Sequence, residues 1–391
     1  MKNGKKKNGN GTKHVQRKKF PLLTLCAAAA LGIGAIYYFT HDESKEISPV
    51  QIQAPKNPED VKLETVINNF KHNAECYYDF LIARKPDEKE ADEAINKVLN
   101  IFGEEVHFVC ATDISTLSNS NAIEKLQSAL ADRGYFLGIN KESIPEINKI
   151  YGSMMLSKIA KKETEAVPIF DQKDSLEFLL LSEPILKMLS VYADEKVGHK
   201  IWTLGMARDK DVLLFGSYLR EALNLAYDDW SSALMGESKD KCSDYLIKEF
   251  GSTKMTQEEF MAKHTANAIR TVKLHESAHH YIRKNKILPD ANGKTARENF
   301  LERMVPSETM ALLNELMNGL VPYYTIYCAT NTNADSQQGQ AILRIADSFR
   351  DMAKERNLPG FDSSKPAYQL LHKLSKDQIR EFAKEMYYRR F

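Results

Sequence analysis

Two histidines four residues apart place the strongest constraint on the fold of this chain of 391 residues. His275 and His279 belong to the string His-Glu-Ser-Ala-His, in a stretch that we predict to be one helix from about Gln257 to Lys286. Thr256 and Glu259 form a capping-box pattern that would begin this helix. On a helix, positions i and i+4 lie on one face, so both imidazoles would point the same way.

This spacing is the one with which two imidazoles hold a single zinc ion. Glu276 would then lie beside the open coordination position, where a carboxylate can take a proton from water. Both histidines continue an apolar series at helical spacing, made by Met261, Ala268, Val272 and Ile282. The pattern leaves one alternative, a buried helix with two packed histidines and a surface glutamate.

At these residues the chain resembles the zincin metallopeptidases. The resemblance covers the motif helix and the segment after it, and Lys273 departs from the uncharged flanks of the family pattern. It implies a zinc-dependent hydrolase of peptide bonds, with Zn²⁺ as cofactor and a peptide or protein as substrate. In that family, His275 and His279 would bind the metal and Glu276 would be the general base. The substrate would lie along a sheet edge beside the motif helix.

Two branches of the family differ in how the motif continues. Metzincins place Gly and His at the positions that Ile282 and Asn285 occupy here, so the sequence excludes that branch. Gluzincins take their third ligand from a Glu on a later helix, and the string from Glu308 to Leu312 is similar to theirs. Leu312 replaces the usual Asp, so the outer carboxylate is missing or comes from elsewhere.

Three acids compete for the role of third ligand. Glu302 lies opposite the apolar residues of its segment and is predicted to be solvated. Glu308 and Glu315 share one face of a helix predicted from about Pro306 to Asn318 and ended by Gly319. We favour Glu308 and keep Glu315 as the alternative. A Glu in the first turn of a helix can also simply complement the helix dipole.

A ferritin-like di-iron site is the competing metal chemistry, because Glu276 and His279 also spell Glu-x-x-His. Such a site needs a second pair of this kind on another helix. The only other one in the chain is Glu104 with His107, and we predict a strand at Val106–Cys110. Residues three apart on a strand face opposite ways, so the sequence argues against the di-iron site.

The N-terminus predicts a membrane anchor. Residues 1–20 contain eight lysines and arginines and no acidic residue, and the nineteen residues from Pro21 to Phe39 carry no charge. A helix of that length spans roughly 28 Å, close to the hydrocarbon core of a bilayer. The positive-inside rule places the tail in the cytoplasm and the bulk of the chain on the other side of the membrane. A cleaved signal peptide is the alternative.

Composition limits the other partners. The chain has a net charge of +1, and because the tail holds eight of its positive charges, the remainder is acidic. Nothing beyond the tail therefore predicts nucleic-acid binding. Cys76, Cys110, Cys242 and Cys328 are widely spaced, and the sequence does not say whether any of them form disulfides.

We predict an α+β fold that is predominantly helical, a zincin-like catalytic domain behind the anchor. Helices are expected at Val61–Phe102 and Gly216–Leu234 and over most of the chain after Thr256. Strands are expected at Val106–Cys110, Tyr135–Ile139, Ile201–Leu204 and Val212–Phe215, with helices between them. The domains are a basic cytoplasmic tail (1–20), a transmembrane signal anchor (21–39), a linker (40–60), the N-terminal part of the globular region (61–255) and the helical part with the motif (256–391).

Two functions are consistent with these residues. The first is a membrane-anchored zinc metallopeptidase with Glu276 as base and His275, His279 and Glu308 as ligands. The second is a non-catalytic, membrane-tethered binding module with a degenerate or structural metal site. The charged Lys273 and the missing Asp at position 312 support the second. The sequence leaves open the natural substrate and the oligomeric state.

Overall fold

The structure is a computed structural model that describes residues 63–84, 88–110, 120–140, 153–186, 189–191, 198–200, 204–208, 210–237, 242–288, 296–361 and 364–390. The predicted tail, anchor and linker of residues 1–60 lie outside the described residues. Among the described residues, no helix combines the length and the apolar character that crossing a membrane would need.

The fold is α+β and predominantly helical. The helices are α1 (Leu63–Arg84), α2 (Glu88–Cys110), α3 (Ser120–Ala131), α4 (Gly216–Leu234), α5 (Ser243–Phe250), α6 (Gln257–Lys284), α7 (Ala296–Asn299), α8 (Val305–Asn318), α9 (Pro322–Thr330), α10 (Gln337–Glu355) and α11 (Lys376–Arg390). A π-helical segment, Phe300–Met304, joins α7 to α8, and two short 3₁₀ turns, Ala367–Gln369 and Leu371–Lys373, precede α11.

A curled sheet lies in the first half of the described chain. The strands are β1 (Tyr135–Asn140), β2 (Ser153–Ile169), β3 (Gln172–Leu186), β4 (Leu189–Val191), β5 (Gly198–Lys200), β6 (Gly205–Ala207) and β7 (Asp211–Phe215). Five of them form one sheet in the order β1-β2-β3-β7-β6, in which only β3 and β7 run parallel. β4 and β5 form a separate antiparallel pair.

The strands predicted at Tyr135–Ile139 and Val212–Phe215 are confirmed as β1 and β7. Of Ile201–Leu204, only Leu204 is described, and it directly precedes β6. The prediction of helix between residues 139 and 201 is wrong for residues 153–186, because β2 and β3 form a long hairpin there. The helix predicted for residues 61–102 divides into α1 and the greater part of α2.

The strand predicted at Val106–Cys110 is wrong, because this segment is the last turn of α2. Buried apolar residues recur at helical spacing along α2 as far as Val106, and this packing carries the helix on. Glu104 and His107 therefore share a helix, so they do not face opposite ways as the predicted strand would require. Even so, the only group of His, Cys, Asp and Glu in the described residues that could hold a metal is His275, His279 and Glu308.

The buried apolar side chains form three clusters. One joins α1, α2 and α3 to one side of β1 and β2, and a second joins the sheet to α4, α6 and α8. The third holds α4 and α5 together with α8 to α11, so it includes residues from both sides of the predicted boundary at 255/256. Helix α6 contacts β2, β6 and β7 as well as α4 and α8, which places the motif helix between the sheet and the helices.

The tip of the β2–β3 hairpin reaches the helix pair α6 and α8. Phe170 adopts a left-handed backbone conformation (φ 56°) and is buried. Its N–H donates to Oδ1 of Asn314 at 2.7 Å, while Nδ2 of Asn314 donates to the carbonyl of Leu274 at 2.8 Å. The fully buried Asn314 thus ties the hairpin to α6 one residue before the first histidine of the motif.

Lys273 also ties the hairpin to α6. Its Nζ lies 2.7 Å from Glu163 and 2.5 Å from Glu165, and it stands over the ring of Phe178. Both carboxylates belong to β2, so the charged residue that departs from the zincin pattern is partnered by the sheet. A lysine with two carboxylates and an aromatic face can be buried at a tolerable cost.

Candidate metal centre

The motif helix begins as its sequence predicts. The side chain of Thr256 accepts from the N–H of Glu259 at 3.2 Å, and the side chain of Glu259 accepts from the N–H of Thr256 at 2.7 Å. The capping box is therefore confirmed. α6 then runs unbroken through the motif, and all five residues of His275–His279 are buried.

Three side-chain groups converge in the interior between α6 and α8. Nε2 of His275 lies 3.0 Å from Nε2 of His279. Oε2 of Glu308 lies 3.3 Å from the first of these nitrogens, and Oε1 lies 3.5 Å from the second. Each of the three residues is at most 2 % exposed.

These separations match what a tetrahedral ion requires. With bonds of roughly 2.0–2.2 Å to nitrogen and oxygen, neighbouring ligand atoms of a tetrahedral zinc lie about 3.3–3.6 Å apart. The distances to the Glu308 oxygens fall in or near that range, and the distance between the imidazole nitrogens of His275 and His279 is slightly shorter. The donor set of two imidazoles and one carboxylate is one that zinc uses.

Glu308 owes its place to the way α8 begins. The π-helical segment Phe300–Met304 leads into α8, and Pro306 occupies its first turn. The helix is continuous here, since the N–H of Val305 donates to the carbonyl of Phe300, whereas Pro306 has no N–H to donate. α8 ends before Gly319, as predicted, but Gly319 has an ordinary φ of −78°, and a Cβ on it would lie 2.4 Å from the carbonyl oxygen of Glu315. Position 319 thus requires glycine because a side chain there would collide with the Glu315 carbonyl, and not because the backbone is left-handed.

Each of the three converging residues is held from behind by another side chain. Nδ1 of His275 donates to Oε1 of Glu315 at 2.5 Å, and Oε2 of Glu315 accepts from the hydroxyl of Thr325 at 3.0 Å. Such partners fix the ring orientation and tautomer of a ligating histidine and raise its basicity. Glu315 is thus a carboxylate that contacts His275, three residues after Leu312.

The other two residues have neutral partners. Nδ1 of His279 lies 2.9 Å from the hydroxyl of Ser307. Nε2 of Gln337, a buried residue at the start of α10, donates to Oε1 of Glu308 at 3.1 Å. This bond leaves Oε2 of Glu308, which has no hydrogen-bond partner in the described part of the chain, facing Nε2 of His275.

The electrostatics of the centre favour a cation. Burial lowers the pKa of His275, but Glu308 and Glu315 outweigh it and raise this pKa well above the usual value. Burial alone would raise the pKa of Glu308, yet the two imidazoles lower it to about 2. Burial lowers the pKa of His279. The two carboxylates around one histidine thus form a buried site in which a positive charge is stabilised.

Glu276 faces the sheet rather than the three converging residues. Its Oε2 accepts from the N–H of Ala207 on β6 at 2.9 Å, whereas Oε1 is buried without a hydrogen-bond partner among the described residues. Burial raises the pKa of Glu276 to about 8, and this is the largest influence on it. Gly205 makes room for this side chain, because a Cβ there would lie 2.7 Å from Cγ of Glu276.

The structure separates the three acids that compete on sequence. Glu308 lies with the two histidines, Glu315 lies behind His275, and Glu302 is exposed on the π-helical segment. Sequence reasoning missed Ser307, Gln337 and the strand residues that hold Glu276. No fixed spacing links them to the motif, although Ser336, which caps α10, marks Gln337 as a first-turn residue.

The cysteines make no disulfide where they are described. Cys76, Cys242 and Cys328 are free thiols. Comparison of the chain with protein-family models gives no match, and comparisons with curated proteins and with solved structures give none either. The chemistry of the site is therefore argued from its own geometry.

Proposed function

We propose that this protein is a zinc metallopeptidase in which His275, His279 and Glu308 bind the ion and Glu276 is the general base. The observation that carries the proposal is the convergence of two buried imidazole nitrogens and the two oxygens of a buried carboxylate, with the nitrogens 3.0 Å apart and each 3.3–3.5 Å from one oxygen, on helices that share a core. Glu308 and Glu315 are two carboxylates at one buried histidine, and a bound cation would balance their charge. Structural zinc sites usually have four protein ligands, whereas three leave a position for water or substrate.

Zinc in such a site polarises a carbonyl and makes a bound water more acidic. The chain's own residues would do the rest. Glu276 would accept a proton from the bound water and pass it to the leaving amine. Glu315, Ser307 and Gln337 would keep the three ligands oriented.

A zincin-like catalytic domain is part of the same proposal. The antiparallel strand β6 runs beside the motif helix, which is the arrangement that the resemblance implies. The substrate would be a peptide or protein. Membrane anchoring through residues 21–39, with the bulk of the chain outside the cytoplasm, rests on the sequence alone. A reporter that is active only in an exported compartment, fused after Phe391, should be active; activity of a cytoplasmic reporter instead would contradict this topology.

A non-catalytic binding module with a structural metal site is the second candidate. Its specific support is burial, because His275, Glu276, His279 and Glu308 are all 2 % exposed or less. The two candidates predict the same zinc content and differ in hydrolysis.

The experiment combines zinc content with cleavage of a mixed peptide library. The unmodified protein should bind zinc and cleave peptides, and a chelator should inhibit it reversibly. Glu276→Gln should keep zinc and lose hydrolysis by at least about a hundredfold, the low end for removal of a general base. His275→Ala and His279→Ala should lose both. A Glu276→Gln protein that cleaves as fast as its parent would end the peptidase proposal, and a zinc-loaded parent that cleaves nothing would favour the binding module.

A further inference from the structure

Strand β6 is the edge of the five-stranded sheet in the described part of the chain. The N–H of Phe215 donates to the carbonyl of Leu204, and the N–H of Arg208 donates to the carbonyl of Asp211. Backbone groups alternate in direction along an antiparallel strand, so those of Ala207 point away from β7. An extended chain that joined the sheet would pair with these outward groups.

Side chains of α6 already occupy the outward groups of Ala207. Its N–H donates to Oε2 of Glu276 at 2.9 Å, and its carbonyl accepts from Nη2 of Arg283 at 3.0 Å. His280 lies between them in sequence, and its Nδ1 is 2.9 Å from the carbonyl oxygen of Arg208 just beyond the strand. These three residues stand at positions i, i+4 and i+7 of α6, which form one face of a helix.

The contact is close enough to hold Glu276. A Cβ at position 205 would lie 2.7 Å from Cγ and 3.1 Å from Oε1 of Glu276, so only glycine lets the side chain lie flat on the strand. Glu276 is completely buried there. It is not one of the three residues whose ligand atoms converge, and all of these lie within 4.8 Å of one another.

We propose that the hydrogen bond from the Ala207 N–H holds the carboxylate of Glu276 on β6 in the resting protein, and we call this contact the latch. An extended peptide strand would release Glu276 by pairing with the backbone groups of Ala207. This inference rests on the proposed peptidase function and adds a control of the base. A peptide carbonyl would replace the carboxylate of Glu276 on the Ala207 N–H, and a peptide N–H would replace Arg283 on its carbonyl. Helical or tightly folded chains cannot present both groups to the edge, so they would leave the base engaged.

Two substitutions at one position separate the latch from the chemistry. Glu276→Gln removes the base but keeps an oxygen that can accept from Ala207, so the latch stays closed. Glu276→Ala removes the base and the latch together. Neither variant should cleave, so the binding of short unstructured peptides to each zinc-loaded protein can be measured at equilibrium by fluorescence anisotropy.

The latch predicts that Glu276→Ala binds the peptide pool about tenfold more tightly than Glu276→Gln. In the Ala variant the peptide does not have to break the hydrogen bond between residue 276 and the Ala207 N–H, and one such bond is worth about this factor. The difference should vanish for the same pool with every backbone nitrogen methylated, because such peptides have no N–H for the carbonyl of Ala207 and their methyl groups keep the peptide carbonyls too far from the Ala207 N–H. Equal affinities would overturn the latch. A difference that persists with N-methylated peptides would overturn it too, because the gain would then come only from the space left by the side chain.

A second pair covers the case in which Glu276→Ala does not fold. Arg283→Met in the Glu276→Gln background frees the carbonyl of Ala207 and should also tighten binding. Lys284→Met is the matched control, because Lys284 is exposed and pairs with Asp174 at 2.9 Å, away from β6. If both substitutions change binding equally, the latch is wrong. Zinc content and hydrolysis by the unmodified protein test the peptidase proposal separately, since no variant has to cleave for its affinity to be measured.

Discussion

Nδ1 of His275 lies 2.5 Å from Oε1 of Glu315, and both residues are buried. Glu315 follows Glu308 by two turns on the same face of α8, so one helix presents two carboxylates to opposite nitrogens of one imidazole. The two acids therefore have different roles. One faces the position of an ion, and the other holds the ring.

These roles predict different losses of zinc affinity. Glu315→Gln keeps an oxygen that can accept from His275 but removes its charge, so affinity should fall by about 10–100-fold, as for other outer partners of metal ligands. Glu308→Gln removes a ligand and should lose more than Glu315→Gln. Competition with a chromophoric chelator measures both. If Glu308→Gln keeps full zinc affinity while Glu315→Gln loses it, the assignment of the ligand is reversed.

Gln337 is predicted to act on the metal through Glu308. Gln337→Met is close in size and removes the N–H that holds Oε1, so zinc affinity should fall by about tenfold, the low end for an outer partner. Gln338→Met is the matched control. Gln338 is equally buried, but it makes no hydrogen bond to the three ligands in the described structure. An equal loss in both variants would mean that the start of α10, rather than the bond to Glu308, is what matters.

The centre divides into parts that the sequence could predict and parts that it could not. The i, i+4 spacing places His275 and His279 on one face of a helix. The capping box predicts where α6 begins, and Gly319 predicts where α8 ends. The choice of Glu308 over Glu315 follows from helix packing, because both acids satisfy the same spacing and only one can face the histidines. Gln337 comes from a helix start that no periodicity connects to the motif.

The β2–β3 hairpin shows why local sequence patterns do not predict the sheet. The middle of β2 reads Lys161, Lys162, Glu163, Thr164, Glu165, and most of these residues favour helix over strand. Its strand conformation depends on pairing with the apolar β3 and on the contact of Lys273 with two of its carboxylates. Such long-range contacts override local propensity. At Val106 the opposite holds: a short alternating run predicts a strand, but the longer helical period before it, with its buried apolar residues, continues α2 to Cys110.

The left-handed backbone at the hairpin tip gives a prediction about stability. Phe170→Ala and Phe170→Gly both remove a buried ring that stacks on Tyr387 at 4.2 Å, and each should destabilise the fold. Glycine adopts a φ of 56° freely, so Phe170→Gly should be the more stable of the two by about 1 kcal/mol. Urea unfolding measures the difference. At Phe178, a buried strand position, the order of the Gly and Ala variants should reverse, and the same order at both sites would argue against strain at Phe170.

A buried histidine away from the metal predicts how stability depends on pH. His264 packs between Phe250 and Phe260, with ring centroids 4.4 and 4.8 Å away, and neither ring nitrogen has a hydrogen-bond partner in the described residues. Burial lowers its pKa from 6.5 to about 4. Between these values the unfolded chain binds more protons than the folded one, so stability falls as the pH drops from about 6.5 towards 4.

The size of this effect follows from the shift in pKa. At about 1.4 kcal/mol per unit, the neutral His264 accounts for up to about 3 kcal/mol that is present above pH 6.5 and lost near pH 4. His264→Phe cannot take up a proton, so its free energy of unfolding should decline less over that range. Urea unfolding of both proteins at a series of pH values, with a chelator present, isolates this residue because every other titrating group is shared. Parallel pH profiles for the two proteins would show that His264 is not a neutral core residue.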